Sequence, residues 1–140
     1  MNDTEIIING LLSGLPFLIS HFFVSILLLI VGTIIYIFIT PMKEMRLIRE
    51  GNIAASISFS GALVGIALPL ASSLTVSNSL TEITIWGIVA ILIQLFCFKI
   101  VDILINDLPG RIEKGEISSS ILLFSIKVTV ALINSAAIAG

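Results

Sequence analysis

Four long apolar runs constrain this sequence more than any other feature, because each is long enough to cross a bilayer as a helix. A spanning helix needs about 20 mostly apolar residues, since it rises about 1.5 Å per residue through about 30 Å of hydrocarbon. The runs extend roughly over Pro16–Thr40, Ile53–Leu74, Ile83–Asn106 and Ile117–Ala139. They are continuous and too long for barrel strands, so an all-α membrane protein with four transmembrane helices is predicted.

The composition agrees with lipid as the solvent of this chain. Only 11% of its 140 residues are charged, 57% are hydrophobic and the mean hydropathy is +1.19. A soluble domain of this size is about a quarter charged, so water would leave too much apolar surface uncovered. We therefore expect a single transmembrane domain over residues 1–140. Residues Asp3–Leu12 form either a short interfacial helix or an extension of the first span.

The basic residues are concentrated in two of the three connections between the spans. Met42–Asn52 and Asp107–Glu116 hold five of the seven Lys and Arg residues, namely Lys43, Arg46, Arg49, Arg111 and Lys114, whereas Thr75–Glu82 has none. Because Lys and Arg accumulate on the cytoplasmic side, both basic loops are predicted to be cytoplasmic and both termini outside. The absence of a basic stripe disfavours nucleic acid as a partner.

A shift of 64 residues, from Ile48 to Ile112, brings the second half of the chain onto the first. Ile48-x-x-Gly51-x-Ile53 then aligns with Ile112-x-x-Gly115-x-Ile117. This match predicts an internal repeat of two parallel helical hairpins, residues 16–74 and 83–139, with chance similarity among apolar residues as the alternative. At the junction, Gly51 and Asn52 can end one element and cap the next helix.

Small and polar residues of the first half resemble the signature of the YjfL-like bacterial inner-membrane proteins: Thr40-Pro41, Asn52, Ala54-Ala55-Ser56, Phe59-Ser60-Gly61, Gly65 and Pro69-Leu70. Trp86-Gly87, Gln94-Leu95 and Asn134 resemble the second-half signature of the same family. The resemblance implies a four-helix fold and no known activity. Family members often lie beside genes for membrane-remodelling, phage-shock-like proteins, which implies a role in envelope maintenance. The chain departs from the family at Ala137, where a cysteine is expected, and at Lys127, where a small residue is expected.

The second span carries a stripe of small residues, predicted as a helix-packing face: Gly51, Ser58, Gly61, Gly65 and Ser72. In lipid, small residues let two helix backbones approach closely and gain dispersion contacts. The stripe therefore predicts packing within the chain or between copies, with a pore-lining face as the alternative.

Lys127 is the most informative single residue, because it falls about midway along the fourth span. A lysine at that depth costs roughly 2.5–3.5 kcal/mol on insertion scales, so it needs a partner. Asp102 in the third span is the candidate, and Lys99 can pair with Asp102 one turn away. We predict an intramembrane charge cluster of Lys99, Asp102 and Lys127 that faces the interior of the bundle or of an oligomer. Its role is either a structural salt bridge or an ion or proton path.

No catalytic, cofactor-binding or metal site is predicted. One histidine, His21, and one cysteine, Cys97, cannot supply the usual ligand number of a protein-only metal site. A single histidine without a serine-based motif also makes a hydrolytic triad improbable. The chain is therefore not expected to be an enzyme.

Two functional hypotheses follow from these features. The first is an oligomeric membrane scaffold or anchor for a cytoplasmic peripheral protein in envelope integrity or stress, with the two basic loops as docking surface: Lys43, Glu44, Arg46, Arg49, Arg111, Glu113 and Lys114. The second is an oligomeric ion or small-solute channel or transporter that uses Lys127 and Asp102. Both hypotheses expect a homo-oligomer in the lipid bilayer. For the channel, four helices are too few to enclose a sizeable pore, so several copies would have to supply its walls.

Overall fold

The computed structural model describes residues 2–140, which form six α-helices and no β-strand. In chain order these are α1 Asp3–Ile39, α2 Glu44–Arg49, α3 Ile53–Val76, α4 Leu80–Leu104, α5 Asp107–Glu113 and α6 Ile117–Ala139. Helices α1, α3, α4 and α6 are long and apolar enough to cross a membrane. The predicted all-α class with four candidate spanning helices is therefore confirmed.

Helix α1 is much longer than the span predicted for this part of the chain. It contains 37 residues and continues through Pro16, which was expected to lie near its start. Residues Asp3–Leu12 therefore extend the first helix instead of forming a separate one. Residues 2–19 are all exposed, so the first half of α1 contacts little of the rest of the chain.

Helix α4 begins three residues before the predicted start because Ser79 caps it. The Ser79 hydroxyl accepts a hydrogen bond from the backbone N–H of Glu82 at 3.2 Å, which satisfies one donor of the first turn. The helix ends at Leu104, whereas the prediction placed its end near Asn106. Helix α6 has the predicted bounds.

The two basic connections contain the short helices α2 and α5, which the sequence analysis treated as loops. Both helices end in the same turn, with a glycine at φ +85°, namely Gly51 after α2 and Gly115 after α5. The Gly51 N–H donates to the Ile48 carbonyl at 3.0 Å, and the Gly115 N–H donates to the Ile112 carbonyl at 2.9 Å. Glycine is favoured at such positions because it adopts positive φ without steric cost. Gly51 thus lies in a turn outside α3, and its assignment to the helix-packing stripe is wrong.

Helices α2 and α5 lie at the same end of the bundle, which we call the basic end (residues 41–52 and 105–116). The short connections make α1 and α4 run towards the basic end and α3 and α6 run away from it. A buried apolar cluster closes the bundle there, formed by Met42, Ala54, Ala55, Val101, Leu108, Ile112 and Leu123. The short helices are therefore packed against the bundle through its hydrophobic core.

Helix α3 is the central helix, since it packs against α1, α4 and α6. Its contact with α6 is the closest, because Gly61 faces the α6 backbone. A Cβ atom added to Gly61 would lie 2.9 Å from the Phe124 Cα. Such a distance leaves no room for a side chain unless one helix moves.

Replacing Gly61 with Ala is expected to destabilise the bundle by about 1–3 kcal/mol, the typical cost of overpacking. The added methyl group meets backbone, which cannot move aside as a flexible side chain can. Thermal unfolding of the purified protein in detergent micelles measures the effect. Gly14→Ala is the matched control, because no atom beyond its own helix lies within 4 Å of a Cβ at that position. Equal stability of the two variants would contradict this account of the α3–α6 contact.

Candidate functional site

Lys127 lies inside the bundle of a single chain, with 0% of its surface exposed. Its Nζ atom donates a hydrogen bond to the hydroxyl oxygen of Tyr36 in α1, at 2.6 Å. The same ammonium lies 5.4 Å from the centroid of the Phe98 ring, within the range of a cation–π contact. The lysine is therefore held by groups on two other helices and does not reach out to the membrane surface.

The hydrogen bonds continue from Tyr36 to Glu44 in the first turn of α2. The Tyr36 hydroxyl donates to Glu44 Oε1 at 3.0 Å, and the Ser58 hydroxyl of α3 donates to the same oxygen at 3.1 Å. Lys127, Tyr36, Glu44 and Ser58 form what we call the buried network. It joins α1, α2, α3 and α6 through side-chain contacts. The phenol of Tyr36 lies between the Lys127 ammonium and the Glu44 carboxylate and hydrogen-bonds to both.

Glu44 does not belong to the docking surface that the sequence analysis proposed. Only 2% of its surface is exposed, so that assignment is wrong. Burial raises the pKa of Glu44 above its ordinary value, and the charge of Lys127 opposes this rise, as do the hydrogen bonds from Tyr36 and Ser58. Its second oxygen, Oε2, is buried and has no hydrogen-bond partner.

Asp102 and Lys99 occupy positions different from those expected for a three-residue cluster. Among residues 2–140, neither Lys99 nor Lys127 forms an ion pair with Asp102 within 4.0 Å. Asp102 is half-buried and acts on Lys127 and Glu44 through its charge. Lys99 is exposed and donates to the Ile39 carbonyl at 3.4 Å. The predicted cluster is therefore incorrect in its pairing, and the direct partner of Lys127 is Tyr36.

An amide pair lies on the other side of Lys127, further from the basic end. The Gln94 side chain donates to the backbone carbonyl of Lys127 at 3.4 Å, and the Asn134 side chain donates to Gln94 Oε1 at 3.2 Å. Asn134 also donates to the Ala90 carbonyl at 3.3 Å. These amides join α4 to α6, but they contact the backbone of Lys127 and not its ammonium group.

Small residues of α3 make the space that the buried network occupies. A Cβ added to Gly65 would lie 2.6 Å from the Phe98 Cζ, so glycine is needed to admit the ring beside Lys127. Ser58 and Gly61 are buried, whereas Ser72 is only half-buried near the other end of α3. The interior face of α3 thus combines close helix packing with one hydroxyl donor to Glu44.

Some cations on the surface of the basic end form ion pairs with a nearby acid, and others do not. Arg46 pairs with Glu50 at 2.8 Å, and Arg111 pairs with Glu116. The hydrogen bond from Arg111 lowers the pKa of Glu116 to about 2. Within the described part of the chain, three further exposed cations have no ion pair: Lys43, Arg49 and Lys114.

No group of three or more His, Cys, Asp or Glu side chains gathers within residues 2–140 in a way that could hold a metal ion. His21 stacks on Phe17, with ring centroids 3.7 Å apart, and its Nδ1 lies 2.8 Å from the Phe17 carbonyl oxygen. Cys97 is half-buried and free.

Tyr36 and Glu44 are the members of the site that the sequence analysis did not identify. One signal was available, because Tyr36 is the only tyrosine of the chain and lies inside an apolar span. A buried phenol usually requires a hydrogen-bond partner. Glu44 follows it by eight residues across the end of α1, so a carboxylate at the first turn of α2 was within reach.

The buried network predicts strong coupling between Lys127 and Glu44. Lys127→Met or Glu44→Gln alone should each destabilise the bundle, because each leaves an uncompensated group inside the protein. The double variant should lose less than the sum, with a coupling energy on the order of 0.5–3 kcal/mol. Unfolding in detergent micelles measures all four states. Lys99→Met is the control and should stay within about 0.5 kcal/mol, since Lys99 is exposed. Strictly additive losses would show that the two residues do not interact.

Comparison with known proteins identifies the family. The family model described as Domain of Unknown Function (DUF350) matches residues 10–138. The UPF0719 inner membrane protein YjfL of Escherichia coli K12 is 31% identical over 117 residues, which cover 84% of this chain and 89% of the relative. The UPF0719 transmembrane protein YshE of Bacillus subtilis is 24% identical over 121 residues, covering 85% and 90%.

No solved structure matches the chain. The family match nevertheless covers nearly the whole sequence, and the four apolar helices agree with the membrane names of the two relatives. The YjfL-like resemblance of the sequence is therefore confirmed. The chain is a multi-pass inner membrane protein that belongs to the DUF350 family and is similar to the UPF0719 proteins YjfL and YshE.

Proposed function

We propose that the chain is a non-enzymatic, oligomeric scaffold or anchor in the bacterial inner membrane, whose basic end binds a peripheral protein of the cytoplasm. The link to envelope integrity or stress rests on the family resemblance. One observation supports the proposal most strongly: the two basic connections are folded into a single surface and are not two independent loops.

Asn52 is the residue that joins the two connections. Its side-chain Nδ2 donates to the carbonyl oxygens of Ile112 and Glu113, both at 3.2 Å, while its Oδ1 accepts the Ala55 N–H at 2.9 Å and caps α3. The Asn52 side chain thus holds the start of α3 to the end of α5, and its backbone N–H donates to the Leu47 carbonyl of α2 at 2.9 Å. A preorganised surface loses little conformational entropy on binding, which favours recognition by a small area.

The proposed orientation places the basic end in the cytoplasm and both termini outside. Five of the seven basic residues lie at this end, and the opposite connection, Ser77–Ser79, carries none. Basic residues near span ends remain on the cytoplasmic side during insertion. The surface would therefore meet cytoplasmic proteins and the anionic headgroups of the inner leaflet.

We also propose that the chain arose as two parallel repeats. The 64-residue offset relates the two glycine turns, since Gly51 and Gly115 share φ +85° and the same hydrogen-bond pattern. Helices related by the offset also pack together, α1 with α4 and α3 with α6. An axis along the membrane normal would relate such repeats.

The partner is expected to be acidic where it meets the basic end. Lys43, Arg49 and Lys114 are exposed and carry no ion pair within the described residues, so their charges are available to a partner. Charges of one sign speed the encounter with an oppositely charged protein, and this effect weakens as salt is added.

Photo-crosslinking in native membranes tests this function. A photoreactive residue at position 49 and another at position 114 should capture the same cytoplasmic protein, because Asn52 holds the two segments in one surface. Position 78, exposed in the connection at the opposite end, is the matched control and should not capture it. Asn52→Ala should reduce the yield at both positions, and added salt should reduce it further.

The charge requirement is tested with the crosslinker at position 43 in a chain that carries Arg49→Glu and Lys114→Glu. The captured protein should then be lost, while the amount of chain in the membrane should not change. Capture of different proteins at positions 49 and 114, or of none, would count against a docking surface.

An oligomeric ion or small-solute channel or transporter is the second candidate. The complete burial of Lys127 beside Tyr36, with the half-buried Asp102 nearby, favours it, because ionisable residues within spans often mark ion paths. The ammonium contacts Tyr36 and not the amide pair beyond it, so further copies of the chain would have to complete a path.

Flux of ions and protons through liposomes that carry the purified protein tests the second candidate. A channel should conduct, and Lys127→Met or Asp102→Asn should change its conductance or selectivity. Lys99→Met is the control, because Lys99 is exposed and outside the buried network. No flux under varied voltage and pH would reject the channel and leave the scaffold.

A further inference from the structure

The two carboxyl oxygens of Glu44 have different surroundings. Oε1 accepts hydrogen bonds from the Tyr36 hydroxyl at 3.0 Å and from the Ser58 hydroxyl at 3.1 Å. Oε2 is buried and accepts none. A bare carboxylate oxygen inside a protein is costly, and it is relieved by any group that brings a donor or a positive charge.

The balance of charges near Glu44 favours the addition of one positive charge. Tyr36 of α1 and Ser58 of α3 donate hydrogen bonds to Glu44, and the charges of Lys127 on α6 and Asp102 on α4 also act on it. Among Glu44 and these four groups, Glu44 and Asp102 are acids and Lys127 is a buried cation, while the exposed Lys99 of α4 acts on Asp102. If Glu44, Asp102 and Lys127 are all ionised, they carry an excess of one negative charge, which Lys99 offsets only from the exposed side of Asp102. The carboxylate of Glu44 itself is buried, so water does little to stabilise its charge.

We propose that Glu44 is a proton-binding site, which takes up a proton from the side of the basic end on its free oxygen Oε2. The new O–H bond forms on Oε2, while Oε1 keeps its hydrogen bonds from Tyr36 and Ser58 as a carbonyl oxygen. Lys127 keeps its proton and its bond to Tyr36, and Asp102 becomes its nearest counter-charge. The ligand of the site is therefore a proton, and no other group needs to enter.

The position of Glu44 makes this site accessible from one side only. Its sequence neighbours Lys43 and Met45 are exposed at the basic end, so water is a short distance away. Beyond Lys127, the amides of Gln94 and Asn134 contact only its backbone carbonyl and not its ammonium group, so they offer the ammonium no acceptor for a proton. The site thus binds a proton without conducting it, and it stands whether the chain is a scaffold or a channel subunit.

Infrared difference spectroscopy of the protein in lipid nanodiscs, between alkaline and acidic buffer, tests the proposal. The wild type should show the carbonyl stretch of a protonated carboxylic acid, and Glu44→Gln should lose that band. Glu113→Gln is the matched control, because Glu113 is an exposed acid at the same end of the bundle. Loss of the band in Asp102→Asn instead would place the proton on Asp102 and overturn the proposal.

Substitution of each neighbouring group should shift the midpoint pH of this titration in a defined direction. Lys127→Met removes a positive charge and Tyr36→Phe removes a donor to the carboxylate, so both should move the midpoint to higher pH. Asp102→Asn removes a negative charge and should move it to lower pH. These variants retain the Glu44 carboxyl, so they test the site even if Glu44→Gln fails to fold. A midpoint that none of them changes would show that the titrating acid is not Glu44.

Discussion

Lys127 cannot be neutralised by lipid, because hydrocarbon offers neither a hydrogen-bond acceptor nor a counter-charge to an ammonium group. The protein supplies both from within, through the Tyr36 hydroxyl at 2.6 Å and the Glu44 carboxylate beyond it. Since Glu44 begins α2, the requirement of one lysine fixes a helix of the basic end against the spanning helices. Gly65 contributes by admitting the Phe98 ring beside the ammonium. A charge in the membrane interior and the shape of a surface outside it are thereby parts of one arrangement.

The spans were predictable from the sequence because a bilayer imposes a minimum length and a high apolar content on each helix. Their ends were less predictable, since they depend on local hydrogen bonds such as the one from Glu82 N–H to Ser79. Helices α2 and α5 were missed because six or seven residues are too few to show a helical period. The turn glycine and the Asn52 cap were recognised, because both depend on residue type rather than on tertiary contacts.

The candidate site was predicted only in part. A lysine within an apolar span is conspicuous, so Lys127 was identified at once. Its partner could not be deduced, because Tyr36 is 91 residues away and a contact between α1 and α6 leaves no trace in sequence spacing. Asp102 is the expected partner because of its charge, although a neutral phenol oxygen can also accept a hydrogen bond from an ammonium group. Glu44 was assigned to the surface because charged residues in connections are usually exposed, and its burial depends on the way α2 packs.

The length of α1 has a consequence for its relation to the bilayer. Its 37 residues correspond to about 55 Å, whereas the hydrocarbon layer is about 30 Å thick. Keeping the whole helix within that layer would need an inclination of about 57°, beyond the 0–40° that spanning helices adopt. Since Ile39 ends the helix at the basic end, the mismatch falls on the opposite side. The first turns of α1, with Asp3 and Glu5, therefore extend into the headgroup layer or past it on the side of the membrane opposite the basic end.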